Sequence, residues 1–201
     1  MRSSLSHRVL IATIVSIVLF VSHAQAASKP TPLATLSVRG PFKLNSHEQL
    51  LYCDSSYSLP ECNKQIQILN RALEVYPLAL LPNWKWVLVR AERWKPLAKS
   101  LHLDPDSPAV TLLDDDTILL EESLIAPRAN RAAELMDSYE IALDQLLDVA
   151  ISHELGHAIC HEENEFRADS IGRDIRKQIA AGETVRVTCR RPVIPNVHEG
   201  R

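Results

Sequence analysis

The sequence predicts an α+β fold in which a small twisted sheet packs on two helices near the C-terminal end of the chain. Residues 84–89 have the aromatic and β-branched content of a strand, and residues 109–113 and 117–125 form a hairpin pattern around an acidic turn. Apolar residues recur at helical spacing over residues 137–160, and a second helix is expected over residues 163–180. We therefore expect a sheet within residues 84–125 that packs on this pair of helices.

The first 26 residues have the pattern of a secretory signal peptide. Arg2 and Arg8 form a basic start, residues 9–21 are apolar, and Ala-Gln-Ala at residues 24–26 resembles a cleavage site. The apolar run is short for a membrane span, although an uncleaved N-terminal anchor is the alternative. The pattern predicts an exported protein, periplasmic or secreted, with no membrane attachment once the signal is removed.

The rest of the chain divides into a linker at residues 27–46 and one folded domain at residues 47–201, which is long enough for a core. The linker contains Pro, Ser and Thr, and it could instead act as a pro-segment that blocks the functional site. Loss of Arg2 and Arg8 with the signal changes the formal charge from −3 to −5. This balance gives no support for binding nucleic acid or an anionic membrane, and neither is expected as a partner.

Four cysteines in an exported chain predict two disulfide bonds. Three pairings are possible. Proximity favours Cys53 with Cys62, which leaves Cys160 with Cys189 and would hold the C-terminal tail beside the end of the first predicted helix. Free thiols, and Cys160 as a metal ligand, are the alternatives.

The less distinctive elements follow from local pattern. Residues 61–76 have helical spacing of apolar side chains and end at Pro77, and their apolar stripe predicts a core contact. Residues 92–103 predict a shorter helix that Pro96 interrupts. Thr and Val at residues 184–188 predict one short strand after the last helix.

The first of the two C-terminal helices is predicted to begin at Asp137, because Glu140 three residues later completes a capping-box pattern. Leu146 and Val149 fall on or near one stripe of this helix, and residues 153 and 157 lie on the same stripe. Gly156 and the polar residues that follow predict that the helix ends near residues 159–160. This helix is therefore anchored by its own apolar face.

A motif of the H-E-x-x-H type lies near the end of that helix, as His153-Glu154-Leu155-Gly156-His157. Residues four apart share a helical face about 5–6 Å apart, so the two imidazoles can bind one zinc ion at the floor of a cleft. Glu154 lies one step round the helix, where it can accept a proton from water that zinc activates. Two structural histidines are the alternative interpretation.

A catalytic zinc site needs a third protein ligand, and Glu165 is the preferred candidate. Glu165 and Asp169 are four apart on the second helix, so both can point back to the first. Asp169 is expected to accept the N–H of a ligating histidine and fix its tautomer. His161 is a rival ligand only if the helix ends before it, because on a continuous helix it would lie about 6 Å beyond His157.

H-E-L-G-H followed by E-F-R-A-D resembles the gluzincin branch of the zincin metallopeptidases, especially the minimal gluzincins. The resemblance implies a zincin-like fold in which His153, His157 and Glu165 bind zinc. It also implies that Glu154 is the general base and that Asp169 orients a histidine. The third histidine of the metzincin motif is absent, and seven residues separate His157 from Glu165, fewer than in many gluzincins.

The predicted function is therefore zinc-dependent hydrolysis of peptide bonds, with a peptide or protein as substrate. In zincins an antiparallel edge strand precedes the zinc helix and pairs with extended substrate, and residues 117–124 resemble that strand. An oxyanion stabiliser is expected opposite the metal. The candidates are Tyr139, His161 and a basic cluster of Arg173, Arg176, Lys177, Arg186, Arg190 and Arg191.

Two other classes of function fit the same residues. One is a zincin-fold binding or structural protein without catalysis, whose zinc is structural or absent. A fourth protein ligand at the zinc, His161 or Cys160, would favour it. The other is a zinc amidase that acts on a non-peptide amide, such as a cell-wall crosslink. The sequence does not separate these classes from a peptidase.

Overall fold

The structure is a computed structural model, and it describes residues 36–43, 49–126 and 129–189. These residues form an α+β fold with a five-stranded mixed sheet and five α-helices. The strands are β1 (Val38–Lys43), β2 (Leu50–Asp54), β3 (Lys85–Val89), β4 (Ala109–Leu112) and β5 (Thr117–Glu121). The helices are α1 (Leu59–Leu73), α2 (Ala91–Ser100), α3 (Ala129–Tyr139), α4 (Leu143–Cys160) and α5 (Glu165–Ala180).

The strand order across the sheet is β1-β2-β3-β5-β4. The three central strands, β2, β3 and β5, run parallel, whereas β1 and β4 pair antiparallel with their neighbours at the two edges. The predicted strands at residues 84–89 and 109–113 are confirmed as β3 and β4, with a short 3₁₀ turn at Leu113–Asp115 closing the hairpin to β5.

The prediction that residues 117–124 form the edge strand is wrong. All five residues of β5 are buried, because β5 lies between β3 and β4 and is covered on both faces. The antiparallel edge is β4, and β4 is also the strand that contacts α4. The hairpin was correctly paired, but the open edge belongs to its first strand.

The sheet also extends further toward the N-terminus than the sequence predicts. Strand β1 lies inside the segment 27–46 that was expected to be a linker, and β2 was not predicted. Gly40 and Pro41 are typical of loops, so the sequence does not indicate β1. At these two residues β1 pairs irregularly with β2. The predicted signal peptide at residues 1–26 lies outside the described residues.

Helices pack on both faces of the sheet. Trp86, Leu88 and Leu120 face one side, where they join buried residues of α1 and α4 in the larger core. Val87 and Leu119 face the other side, where they pack in a smaller core with α2. The strand alternation thus separates the layer that carries α4 from the layer that carries α2.

The predicted helix over residues 137–160 is two helices. Glu140 has a positive φ of 53°, so the chain turns after α3 and α4 starts again at Leu143. The capping-box interpretation of Asp137 with Glu140 is therefore wrong, since both residues lie at the end of a helix. Helix α5 agrees with the predicted range and is capped by Asn164, whose side chain accepts the Arg167 N–H.

Both predicted disulfides are present, Cys53–Cys62 with an S–S distance of 2.05 Å and Cys160–Cys189 with 2.09 Å. The strand predicted at residues 184–188 is wrong, because these residues have no regular structure. Gln178 instead holds this segment against α5 through the backbone of Arg186. Within the described ranges, no helix combines the length and apolar character needed to cross a bilayer.

Candidate metal centre

Three side chains from α4 and α5 converge on one point. His153 Nε2 lies 3.0 Å from Glu165 Oε2, and His157 Nε2 lies 3.4 Å from the same oxygen. The two imidazole Nε2 atoms are 3.1 Å apart. One ligand atom of each residue lies within 4.8 Å of the others, an arrangement that could hold a metal ion. The structure thus brings together the three ligands that the sequence predicts.

Close approach of α4 and α5 makes this convergence possible. A methyl group at Gly156 would overlap the backbone carbonyl of Ala168, and one at Gly172 would lie 2.6 Å from the carbonyl oxygen of Ser152. The two glycines let the helix backbones touch, so Glu165 at the first turn of α5 reaches the imidazoles of α4. Gly156 therefore lies in the helix interior because of packing, and not as the sign of a helix end.

The orientation of His157 is fixed by a backbone group that the sequence analysis missed. Its Nδ1 lies 2.5 Å from the Glu162 carbonyl oxygen, so an N–H at Nδ1 donates there and leaves the Nε2 lone pair facing Glu165. His161 has a left-handed backbone, with φ 45°, that ends α4 and turns the Glu162 carbonyl back toward the helix.

The Glu162 side chain in turn stabilises this short turn between the helices. Its carboxylate accepts hydrogen bonds from the Arg167 guanidinium at 2.6 and 2.8 Å and from the Asn164 N–H at 2.8 Å. The Arg167 guanidinium holds the pKa of the Glu162 carboxyl below its usual range. The cap residue Asn164 before α5 was the local signal that this turn is structured.

Asp169 lines the same groove one helical turn after Glu165, and its carboxylate accepts a hydrogen bond from Arg173. The Glu162 carbonyl fills the orienting role at His157. Asp169 as an orienting group for His153 stays a prediction.

The rival ligands lie elsewhere. Cys160 is bonded to Cys189, so it has no thiolate to offer. The His161 ring contacts Trp84 edge-on, with 6.4 Å between the ring centroids. Of the described residues, only His153, His157 and Glu165 form a group of this kind.

Glu154, the predicted general base, is buried beside the three converging side chains. Thr111 on β4 donates its hydroxyl to Glu154 Oε2 at 2.6 Å and also lies 3.2 Å from the Glu154 carbonyl oxygen. Burial raises the pKa of the Glu154 carboxyl, while the Thr111 hydrogen bond and the two imidazoles oppose that rise. Thr111 is 43 residues away in sequence, so no local pattern could have identified it.

A groove of about 820 Å³ runs along α4 to the three converging side chains. Its walls are largely apolar, and the residues that line it include Leu146, Val149 and Ala150 from α4 and Ala109 from β4. Tyr139 lines the groove, and none of the described residues that line it is Arg or Lys. Of the predicted oxyanion stabilisers, Tyr139 is therefore the one that the structure brings to the groove. Burial raises the pKa of the Tyr139 hydroxyl.

Comparisons of the chain with models of protein families, with curated proteins and with solved structures found no match. The chemistry of this site therefore has to be inferred from its own geometry.

Proposed function

We propose that the chain is a zinc-dependent hydrolase of peptide bonds, with a zincin-like arrangement of its catalytic residues. The observation that carries the proposal is the convergence of His153, His157 and Glu165, with Glu154 buried beside them at the wall of an apolar groove. Two structural histidines would not require a carboxylate from a second helix within 3.4 Å of both rings.

The donor set suits zinc. Two imidazole nitrogens and one carboxylate oxygen are the protein ligands of a known class of catalytic zinc site. The Glu162 carbonyl bond at 2.5 Å presents the His157 Nε2 lone pair as a ligand requires. Bound zinc would supply a Lewis acid that polarises a carbonyl group and makes water a better nucleophile at neutral pH.

The other groups of the site have separate roles. Glu154 accepts a proton from the attacking water and returns it to the leaving amine, as its place beside the ligands allows. Tyr139, which lines the groove, is proposed to stabilise the oxyanion. Burial raises the pKa of the Glu154 carboxyl, which makes it a stronger base than an exposed glutamate.

The groove favours a peptide over a small amide as substrate. Strand β4 forms one wall of the groove and is an open edge of the sheet, so its backbone can pair with an extended chain. Apolar residues of α4 along the opposite wall would contact side chains of that peptide. A compact non-peptide amide would use little of this surface.

Three protein ligands favour catalysis over a structural zinc site, which commonly has four. Cys160 and His161, the predicted fourth ligands, are held in a disulfide and against Trp84. We also propose that the protein is exported, since two disulfides are typical of oxidising compartments.

The test combines metal analysis with activity in one series of variants. We expect the purified protein, with both disulfides intact, to retain about one zinc after dialysis, and His157→Ala to retain none. Glu154→Gln should keep the zinc and lose at least about a hundredfold in turnover of labelled casein or internally quenched peptides. Retained zinc with equal turnover in Glu154→Gln would contradict the mechanism.

A peptidoglycan fragment with an amide crosslink, offered beside the peptides, separates the amidase alternative. Cleavage of the crosslink alone would assign the chain to that class. A folded parent protein that retains no zinc when zinc is supplied would remove the enzyme proposal.

A further inference from the structure

Thr111 is the one residue of the open edge strand that hydrogen-bonds to the predicted general base. Its hydroxyl is 2.6 Å from Glu154 Oε2, and the same hydroxyl lies 3.2 Å from the backbone oxygen of Glu154. A hydroxyl has one proton to donate, and the shorter contact with a carboxylate takes it. One oxygen of the base is thus held, and Oε1 remains for other partners.

Through this bond, Thr111 connects Glu154 to the edge strand of the sheet. Thr111 pairs with Ile118 of β5 and belongs to β4, which has no neighbouring strand on its other side in the described sheet. Its side chain points out of the sheet to α4, and its backbone belongs to the edge strand on which an extended peptide would pair. The strand that would bind the peptide therefore also holds the general base.

We infer that Thr111 is a positioning residue, which holds the Glu154 carboxylate in place and couples its position to the strand on which the peptide docks. This inference rests on the proposed hydrolytic function. Within the described residues, the Thr111 hydroxyl hydrogen-bonds to Glu154 and to none of the three converging side chains. Its effect on the reaction passes through Glu154 alone.

The kinetic test uses Thr111→Val, which keeps the size and β-branching of the side chain but removes the donor. We expect kcat on a quenched peptide to fall about tenfold to a hundredfold, which is part of the ~10²–10⁴ that a general base contributes. KM and zinc content should stay within about twofold, because the backbone edge and the ligands are intact. Thr111→Ser restores the donor and should recover kcat to within about threefold.

Thr117→Val is the matched control. Thr117 is a strand threonine on the neighbouring strand, and its hydroxyl donates to the Asp115 carbonyl at 2.9 Å, away from Glu154. This variant should lower the unfolding temperature without lowering kcat. An equal fall in kcat for Thr117→Val and Thr111→Val would overturn the inference, because it would report general loosening of the hairpin.

A second measurement needs no activity and is made on the zinc-free protein. Thr111→Val should lower the unfolding temperature by about 3–10 °C in the parent, because it leaves a buried carboxylate oxygen without its donor. In a Glu154→Met background the same change should have little effect, since the partner carboxylate is gone. Equal shifts in both backgrounds would overturn the contact itself.

The two measurements distinguish failure of this inference from failure of the proposed function. Coupling between Thr111 and Glu154 without any hydrolysis by the zinc-loaded parent would refute the function, and with it the catalytic meaning of Thr111. Hydrolysis by the parent that Thr111→Val does not slow would refute the inference and leave the function standing.

Discussion

Acidic side chains occur in two parts of this molecule, and the two parts give them different kinds of partner. At the carboxyl ends of the parallel strands, Asp54 accepts the Arg90 backbone N–H and lies 3.6 Å from the Arg93 guanidinium. Glu121 accepts two arms of the Arg131 guanidinium at 2.8–3.2 Å. At the α4–α5 crossing, the acid Glu165 meets two imidazoles instead of an arginine.

The contrast separates charges that stabilise the fold from groups that can bind a cation. Buried Asp54 and Glu121 have arginine partners that belong to the chain, so these pairs are complete in the protein alone. The imidazoles of His153 and His157 offer lone pairs toward the same point as the Glu165 carboxylate. Under the proposed function, a divalent cation would complete that donor set.

The first prediction removes the arginine partner of a buried acid, Glu121. Arg131→Met leaves Glu121 buried without its guanidinium, and we expect the free energy of unfolding to fall by about 3–5 kcal/mol. Chemical denaturation measures the change. Lys95→Met removes one partner of the exposed pair with Asp106 and should change the free energy of unfolding little. Similar losses for both variants would show that burial does not distinguish the pairs.

The second prediction concerns the group of His153, His157 and Glu165. Free zinc at about 1,000 times its Kd should raise the free energy of unfolding of the parent by about 4 kcal/mol, because zinc binds only the folded site. Glu165→Ala should lose most of that gain. The Glu165 side chain is 73% exposed, so the zinc-free variant should keep the stability of the zinc-free parent. Calorimetry with and without zinc checks both, and an unchanged zinc response would exclude Glu165 as a ligand.

The third prediction tests how the two helices are held together. Gly156→Ala places a methyl group against the Ala168 carbonyl, and we expect it to cost about 1–3 kcal/mol of unfolding free energy. Zinc affinity should fall as well, since α5 carries Glu165 away from the imidazoles. Ser170→Ala on the exposed face of α5 should change either quantity little. Normal zinc binding by a stable Gly156→Ala protein would contradict the close crossing.

The smallest expected effect concerns Glu61, an exposed carboxylate that pairs with Arg90. Hydrogen bonds from Ser58 and from Arg90 lower the pKa of Glu61 from 4.5 to about 2. A lowered pKa in the folded state means stability that is present above pH 4.5 and is lost as the pH falls toward 2. Glu61→Gln should therefore flatten the fall in unfolding temperature between pH 5 and pH 2, as monitored by circular dichroism. An unchanged slope would remove Glu61 as a contributor to acid unfolding.

The sequence predicted those parts of the fold whose signal is local. The strand at β3, the hairpin of β4 with β5 and helix α5 each carry their own periodicity. Their predicted positions agree with the structure, except that β5 ends at Glu121 and not at residue 125. Strand β1 contains Gly40 and Pro41, whose local preference is for a turn, and pairing with β2 overrides that preference. The break at Glu140 similarly depends on a backbone conformation that a helical pattern does not reveal.

The same distinction applies to the site. Helical spacing predicts that His153 and His157 share a face, whereas Glu165 reaches them because α5 crosses α4 closely. Thr111 and the Glu162 carbonyl were not predictable, since one depends on a contact 43 residues away and the other on a backbone group. The edge strand was assigned to the wrong arm of the hairpin because the order of strands in a sheet is a long-range property.

The helix crossing has a consequence for the motif itself. In His153-Glu154-Leu155-Gly156-His157, the packing constrains the two variable positions as tightly as the proposed chemistry constrains the other three. Leu155 is fully buried in the larger core, and Gly156 is the only residue type that fits against Ala168 without displacement. Copying just the histidines and the glutamate into another helix would reproduce the pattern but not the spacing to a second helix. For a protein engineer, the transferable unit is therefore the five-residue segment together with its partner helix.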